Sequence, residues 1–111
     1  MELTIEQLKR CDLVRAVGRI DSQAAPQLEE ALNTITEAGR YKIVFDMSDV
    51  NFISSAGLRV LIDVQKTCKR WNRGQLILAA LSERIYETLD LAGFLPLFTI
   101  FDDVLHAVGS F

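Results

Sequence analysis

One segment of the sequence combines residue types and spacing that could carry chemistry, and it runs from Asn51 to Leu61. Within it, the adjacent pair Ser54 and Ser55 is followed by Ala56-Gly57 and then by an apolar, periodic run. This pattern predicts a loop leading into a helix, where either serine hydroxyl could accept a hydrogen bond from a free N–H of the first turn. Gly57 would also permit close approach to that turn. The positive end of the helix dipole would interact strongly with negative charge added there.

Other catalytic and ligand-binding patterns are missing from the sequence. It contains no G-x-x-x-x-G-K-[ST], G-x-G-x-x-G, H-E-x-x-H or G-x-S-x-G motif. His106 is the single histidine and lies near the C-terminal end, which argues against a catalytic triad or a histidine metal site. Asp21, Asp46 and Asp49 are expected near strand ends, where solvated aspartates are commoner than a metal site. We therefore expect no catalysis, no metal and no cofactor.

Composition excludes several classes of partner. The chain has 111 residues with 12 basic and 15 acidic side chains, giving a net charge of −3. That balance argues against nucleic acid or an anionic membrane as an electrostatic partner. No window approaches the ~18 consecutive apolar residues of a membrane span, and the N-terminus lacks the pattern of a secretion signal. We expect one cytoplasmic domain over residues 1–111.

Periodicity and turn residues predict the elements that position the serine pair. The predicted strands cover residues 3–8, 13–17, 41–46, 75–79 and 98–101. The predicted helices begin near Pro26, Ser54, Glu83 and Asp102. The first carries an apolar stripe from Leu28 to Ile35, the second runs to about Asn72, and Ser82 and Asp102 are the predicted caps of the last two. Residues 47–53 are expected to form a loop. The order β-β-α-β-α-β-α-β-α predicts an α/β fold, with a mixed, mostly parallel sheet of four to five strands and about four helices.

The second predicted helix carries a charged face that begins one turn after Ser55. At about 100° per residue, four charged side chains fall within a narrow sector of the helix. They are Arg59, Asp63, Lys66 and Arg70. An ordinary solvated face explains this pattern, and a protein-binding strip is the alternative interpretation.

Five motifs occur together in an order and spacing that are typical of one family. The motifs are Gly18-Arg19-Ile20-Asp21, Pro26-Gln27-Leu28, Ile43 to Val50, Phe52 to Leu58, and the late group Leu89, Gly93 and Phe94. With these motifs the chain resembles a STAS domain over essentially its whole length. More specifically, it resembles a stand-alone bacterial anti-sigma factor antagonist.

The resemblance implies a binding switch. In that family, the serine two positions before the glycine, here Ser55, is phosphorylated by a partner that is both anti-sigma factor and serine kinase, of the histidine-kinase-like ATPase type. The unphosphorylated antagonist binds this partner, the phosphorylated form releases it, and a metal-dependent serine phosphatase resets the cycle. The family often has Asp where this chain has Ser54. Because Ser54, unlike an aspartate, has a hydroxyl group, it is the alternative acceptor of the phosphate.

The same resemblance predicts a partner-binding surface around the serine pair. Its expected residues are Asp21, Asp46, Ser54, Ser55, Ala56, Gly57, Arg59, Asp63 and Lys66. We expect a monomer, with a weak dimer as the alternative. STAS-like domains also serve as subunits of lipid-transport ATPase complexes and of stress-signalling assemblies, which is the alternative function.

Overall fold

A computed structural model describes residues 1–111 and contains five strands and four α-helices. The strands are β1 (Glu2–Gln7), β2 (Asp12–Ile20), β3 (Lys42–Ile53), β4 (Gln75–Ala79) and β5 (Thr99–Phe101). The helices are α1 (Ala25–Glu37), α2 (Ser55–Lys69), α3 (Glu83–Leu91) and α4 (Val104–Gly109). Short 3₁₀ turns cover Arg70–Asn72 and Leu95–Leu97. No helix is both long enough and apolar enough to cross a membrane.

The strands form one sheet in the order β1-β2-β3-β4-β5. β1 pairs with β2 in an antiparallel hairpin, while β2, β3, β4 and β5 are parallel neighbours. Each parallel connection passes through a helix, as parallel pairing requires. The predicted α/β class, the mixed sheet and the element order are confirmed.

The sheet separates two apolar layers of unequal size. The larger core lies between one sheet face and α1, α2 and α3, and it includes Leu28, Leu32, Phe45, Leu61, Leu78, Ile85 and Leu89. The smaller cluster lies on the opposite face under α4, and it contains Cys11, Val44, Ile77, Ala79 and Ala107. β3 is buried on both faces, because Ile43, Val44, Phe45 and Met47 are all fully inaccessible. This double coverage explains the unbroken apolar run in its sequence.

The prediction of a loop over residues 47–53 is wrong, because β3 continues to Ile53. Three apolar side chains of this segment, Met47, Val50 and Ile53, are buried in the core. The extended β2 pairs with the segment through irregularities in register. Such bulges allow polar residues to break the alternation of apolar and polar side chains without ending the strand. The sequence of this segment therefore resembles that of a loop.

β2 also extends beyond its predicted end, to Ile20 rather than Val17, and two helix boundaries differ as well. α2 ends at Lys69 rather than near Asn72, because Trp71 and Asn72 adopt left-handed backbone angles, with φ of 55° and 57°. The last helix is capped by Asp103 and not by Asp102, since Asp103 Oδ1 accepts a hydrogen bond from the His106 N–H at 2.8 Å. Both differences are shifts of one to three residues, as helix ends often show.

Candidate functional site

Ser54 connects the end of β3 to the start of α2 and caps the helix. Its backbone is extended, and its Oγ accepts a hydrogen bond from the Gly57 N–H at 3.1 Å. Its own N–H donates to the carbonyl of Ile20 at 2.8 Å. Ser54 therefore ties the first turn of α2 to the carboxyl end of β2, and its hydroxyl is occupied by this structural task.

Ser55 is the first residue of α2, and its side chain is exposed together with that of Ala56. The Ser55 hydroxyl makes no hydrogen bond within the protein, in contrast to that of Ser54. The first turn of α2 holds no acidic residue. The positive end of the dipole of a 15-residue helix is therefore not neutralised by a neighbouring carboxylate. The structure presents at Ser55 an accessible nucleophilic oxygen where negative charge is electrostatically tolerated.

Gly57 holds the start of α2 against the ends of β2 and β3. An added Cβ at this position would lie 2.8 Å from Ile20 Cγ2 and 2.9 Å from Ile53 Cγ1. Both isoleucines are buried in the core. The glycine is thus needed for packing, and its close approach fixes the position of Ser54 and Ser55 relative to the sheet.

Asp21 immediately follows the β2 residue that Ser54 contacts. Its Oδ1 accepts hydrogen bonds from the N–H groups of Gln23 at 3.1 Å and Ala24 at 2.8 Å. The carboxylate therefore stabilises the turn that leads into α1. Asp21 lies beside the serine pair, with this oxygen committed to the turn.

The predicted site omitted the pair Arg19 and Phe52. The guanidinium of Arg19 lies 4.3 Å from the centre of the Phe52 ring, and the two residues are partners across β2 and β3. Phe52 is separated from Ser54 by one residue. The sequence carried a signal for this contact, because two parallel strands that end together bring their last side chains side by side.

Asp46 and Asp49 do not lie near the serine pair. Both lie within β3 rather than at a strand end, so the prediction of their position is wrong. Asp46 is separated from Ile53 by seven residues, or about 20 Å of extended strand. Arg15 of β2 forms ion pairs with both carboxylates, and Asp46 also accepts a hydrogen bond from the Ser48 N–H at 3.0 Å. The three aspartates considered for a metal site are therefore not assembled.

The charged face of α2 extends away from the serine pair. Arg59, Asp63 and Lys66 are exposed, and none of them forms an ion pair. Arg59 is four residues after Ser55, a spacing that places the two on one helix face. The prediction is wrong in including Arg70, which lies beyond the end of the helix with its guanidinium 5.3 Å from the Trp71 ring.

Known proteins are similar to this chain in sequence and in fold. The chain is 31% identical to BtrV of Bordetella bronchiseptica, provisionally named an anti-sigma factor antagonist, over 100% of this chain and 95% of BtrV. A crystal structure of an anti-sigma factor antagonist from Mycobacterium paratuberculosis superposes with a TM-score of 0.88 and 23% identity, covering 98% of this chain and 92% of that one. The Bacillus cell fate determinant SpoIIAA, solved in its phosphorylated form, superposes with a TM-score of 0.71 and 19% identity, over 89% and 90% of the two chains.

A family profile gives the same result over nearly the whole chain. The profile of the STAS domain matches residues 2–107, from the first strand to the last helix. The matched region contains the serine pair, the glycine that packs against β2 and β3, and the charged face of α2. This chain belongs to the STAS domain family.

Proposed function

We propose that this protein is an anti-sigma factor antagonist controlled by phosphorylation of Ser55. In the unphosphorylated state it sequesters an anti-sigma factor that is also a serine kinase of the histidine-kinase-like ATPase type. Phosphorylation releases that partner, and a metal-dependent serine phosphatase restores binding. The relatives' names support the antagonist role, and the phosphorylated form of a protein with this fold supports the switch. The protein acts in the cytoplasm as a binding module, without catalysis of its own.

The observation that carries this proposal is the difference between the two adjacent serines. The Ser54 hydroxyl oxygen accepts a hydrogen bond from the Gly57 N–H, so phosphorylating it would require this contact at the helix start to rearrange. The Ser55 hydroxyl is exposed and free of protein contacts. A kinase therefore reaches Ser55 without unfolding the first turn, and we assign the phosphate to Ser55 rather than to Ser54.

The physical basis of the switch is the charge and size of the phosphate. A phosphate adds roughly −1.5 to −2 charges at pH 7. At the start of α2 the free domain tolerates this charge, because the helix dipole is positive there. In a docked interface the same group must be desolvated and accommodated, which opposes binding. Phosphorylation would thus weaken the complex while leaving the fold of the antagonist unchanged.

The proposed partner surface surrounds Ser55 and continues along α2. It consists of Asp21, Ser54, Ser55, Ala56, Gly57, Arg59, Asp63 and Lys66. Arg59 and Lys66 have no acidic partner within the protein, so we infer that they contact an acidic region of the anti-sigma factor. Asp46 lies outside this surface, because about 20 Å of extended strand separates it from Ile53, the residue before Ser54.

Affinity capture from cytosol of the source organism tests the proposal, with a matched pair of serine variants. We expect wild-type protein, Ser55→Ala and the control Ser54→Ala to retain a histidine-kinase-like ATPase, identified by mass spectrometry. Ser55→Asp should retain less of it, though more than the phosphorylated form does, because an aspartate carries one charge. After incubation with the captured kinase and ATP, the phosphate should be found on Ser55.

Two results would contradict this function. Phosphate on Ser54 or Thr67, with Ser55 unmodified, would show that the assignment of the acceptor is wrong. Capture of a lipid-transport ATPase subunit in place of a kinase, unaffected by Ser55→Asp, would favour the alternative role as a transport-complex subunit.

A further inference from the structure

A basic cavity lies at the end of the parallel strands opposite Ser55. Its volume is about 260 Å³. It is formed by the β1–β2 turn, by the connection between α1 and β3, and by Arg73, which lies just before β4. Five basic side chains from these three segments line it: Lys9, Arg10, Arg40, Lys42 and Arg73. These segments are far apart in the sequence, so the cluster exists only in the folded chain.

The positive charge around this cavity is largely uncompensated. Asp12 is the single acidic residue in the lining, and its buried carboxylate accepts a hydrogen bond from Arg40 Nε at 2.8 Å. Of the other four, Arg10 donates from Nη1 to the main-chain oxygen of Phe111 at 3.3 Å, and Lys9, Lys42 and Arg73 have no side-chain carboxylate within 4 Å. The whole protein has a net charge of −3. The positive charge of this cavity lining is therefore opposite in sign to the net charge of the protein.

Arg73 is held in place before any ligand arrives. Its Nε donates to the carbonyl of Arg70 at 3.0 Å and its Nη2 to that of Thr67 at 2.6 Å. Its guanidinium also lies 3.7 Å from the centre of the Tyr41 ring. A charged group fixed in this way loses little conformational freedom on binding, which favours affinity.

The backbone that supports Arg73 is strained and closely packed. Trp71 and Asn72 both have positive φ, a conformation that costs free energy for residues other than glycine. An added Cβ on Gly74 would clash with the Tyr41 carbonyl oxygen, so the backbone after Arg73 packs directly against the segment that contains Tyr41. Strained backbone of this kind is concentrated at binding sites.

We propose that this cavity binds a small polyanion carrying at least two negative charges on phosphate or carboxylate groups. The cavity is smaller than the ~300–1,000 Å³ of sites for drug-sized organic ligands, which matches a compact ion. Lys9 and Lys42 supply ammonium groups, and the guanidinium N–H groups of Arg40 and Arg73 that are not bonded to Asp12 or to carbonyls can donate to such oxyanions. The site is separate from Ser55, and the proposal does not depend on the antagonist function.

Isothermal titration calorimetry of the full chain tests the site, using inorganic pyrophosphate and, separately, citrate at a fixed 150 mM ionic strength (roughly physiological). We expect saturable binding of at least one of these ions with one site per chain. Arg10→Gln and Lys42→Gln should each weaken binding about tenfold, as expected for loss of a charged hydrogen bond. Arg84→Gln, which removes the same charge from the exposed surface of α3, should leave the affinity unchanged.

Backbone NMR of the wild-type protein locates the bound ion. We expect pyrophosphate or citrate to shift the amide signals of Cys11, Gly39 and Gly74, while those of Ser55 and Ala56 stay in place. The proposal is overturned if neither ion shows saturable binding. It is also overturned if Arg84→Gln weakens binding as much as Lys42→Gln does, or if the shifts cluster around α2.

Discussion

Replacing Gly57 by alanine is expected to destabilise the protein by disturbing the contact between α2 and the sheet. The new methyl carbon would lie 2.8 Å from Ile20 Cγ2 and 2.9 Å from Ile53 Cγ1. Both contacted atoms are attached directly to the Cβ of a buried isoleucine, and χ1 of this β-branched residue is restricted. Neither side chain can turn away cheaply, so the start of α2 must move outward.

The magnitude follows from two opposing effects. Inserting a methyl group into a packed core costs about 1–3 kcal/mol, while alanine is favoured over glycine within a helix by roughly 0.8–1.0 kcal/mol. Since both short contacts are to atoms that cannot turn away cheaply, the upper half of the first range, about 2–3 kcal/mol, applies, and the net loss is about 1–2 kcal/mol. For a domain near 100 residues, each kcal/mol shifts Tm by roughly 4–8 °C, so we expect Tm to fall by about 5–15 °C.

Thermal and urea denaturation followed by circular dichroism measure this loss. Gly109→Ala is the matched control, because no atom lies within 4 Å of the Cβ it would add, and it should be at least as stable as wild type. If Gly57→Ala were as stable as this control, the close packing of α2 against Ile20 and Ile53 would not be the reason for the glycine.

Two further predictions concern side chains at helix starts. Ser54→Ala should lower the free energy of unfolding by about 0.5–2 kcal/mol, because the helix loses its cap. Ser55→Ala should change this free energy by less than ~0.5 kcal/mol. Equal losses for the two variants in urea denaturation would contradict the assignment of the cap to Ser54. The hydrogen bond and charge of Asp103 raise the pKa of His106. This pair therefore stabilises the fold below pH ~6.5 and loses its effect as pH rises through the raised pKa. In an NMR titration, Asp103→Asn should lower that pKa more than Asp102→Asn does.

The sequence by itself determined the order of the elements and the location of the serine pair. Helix periodicity and caps are local properties, so the Leu28 to Ile35 stripe and the cap at Ser82 were predictable, and Ser82 accepts a hydrogen bond from the Ile85 N–H at 3.2 Å. The serine pair was recognisable for the same reason, since a polar pair before an apolar periodic run indicates a helix start.

The sequence did not determine which serine caps the helix. Either hydroxyl satisfied the local pattern, and the choice depends on where β3 ends and on the Ile20 carbonyl that receives the Ser54 N–H. That carbonyl belongs to a strand more than thirty residues earlier. The free Ser55 hydroxyl is a consequence of this long-range contact.

Long-range pairing also decided the features that local patterns misrepresented. Residues 47–53 became strand because β2 extends to Ile20 and pairs with them, and this extension placed Asp46 and Asp49 within the sheet beside Arg15. The basic cavity joins three turns that only the parallel arrangement of strands brings to one end. Hydrogen bonds between strands and contacts between turns depend on relative position in space, which a local residue pattern does not encode.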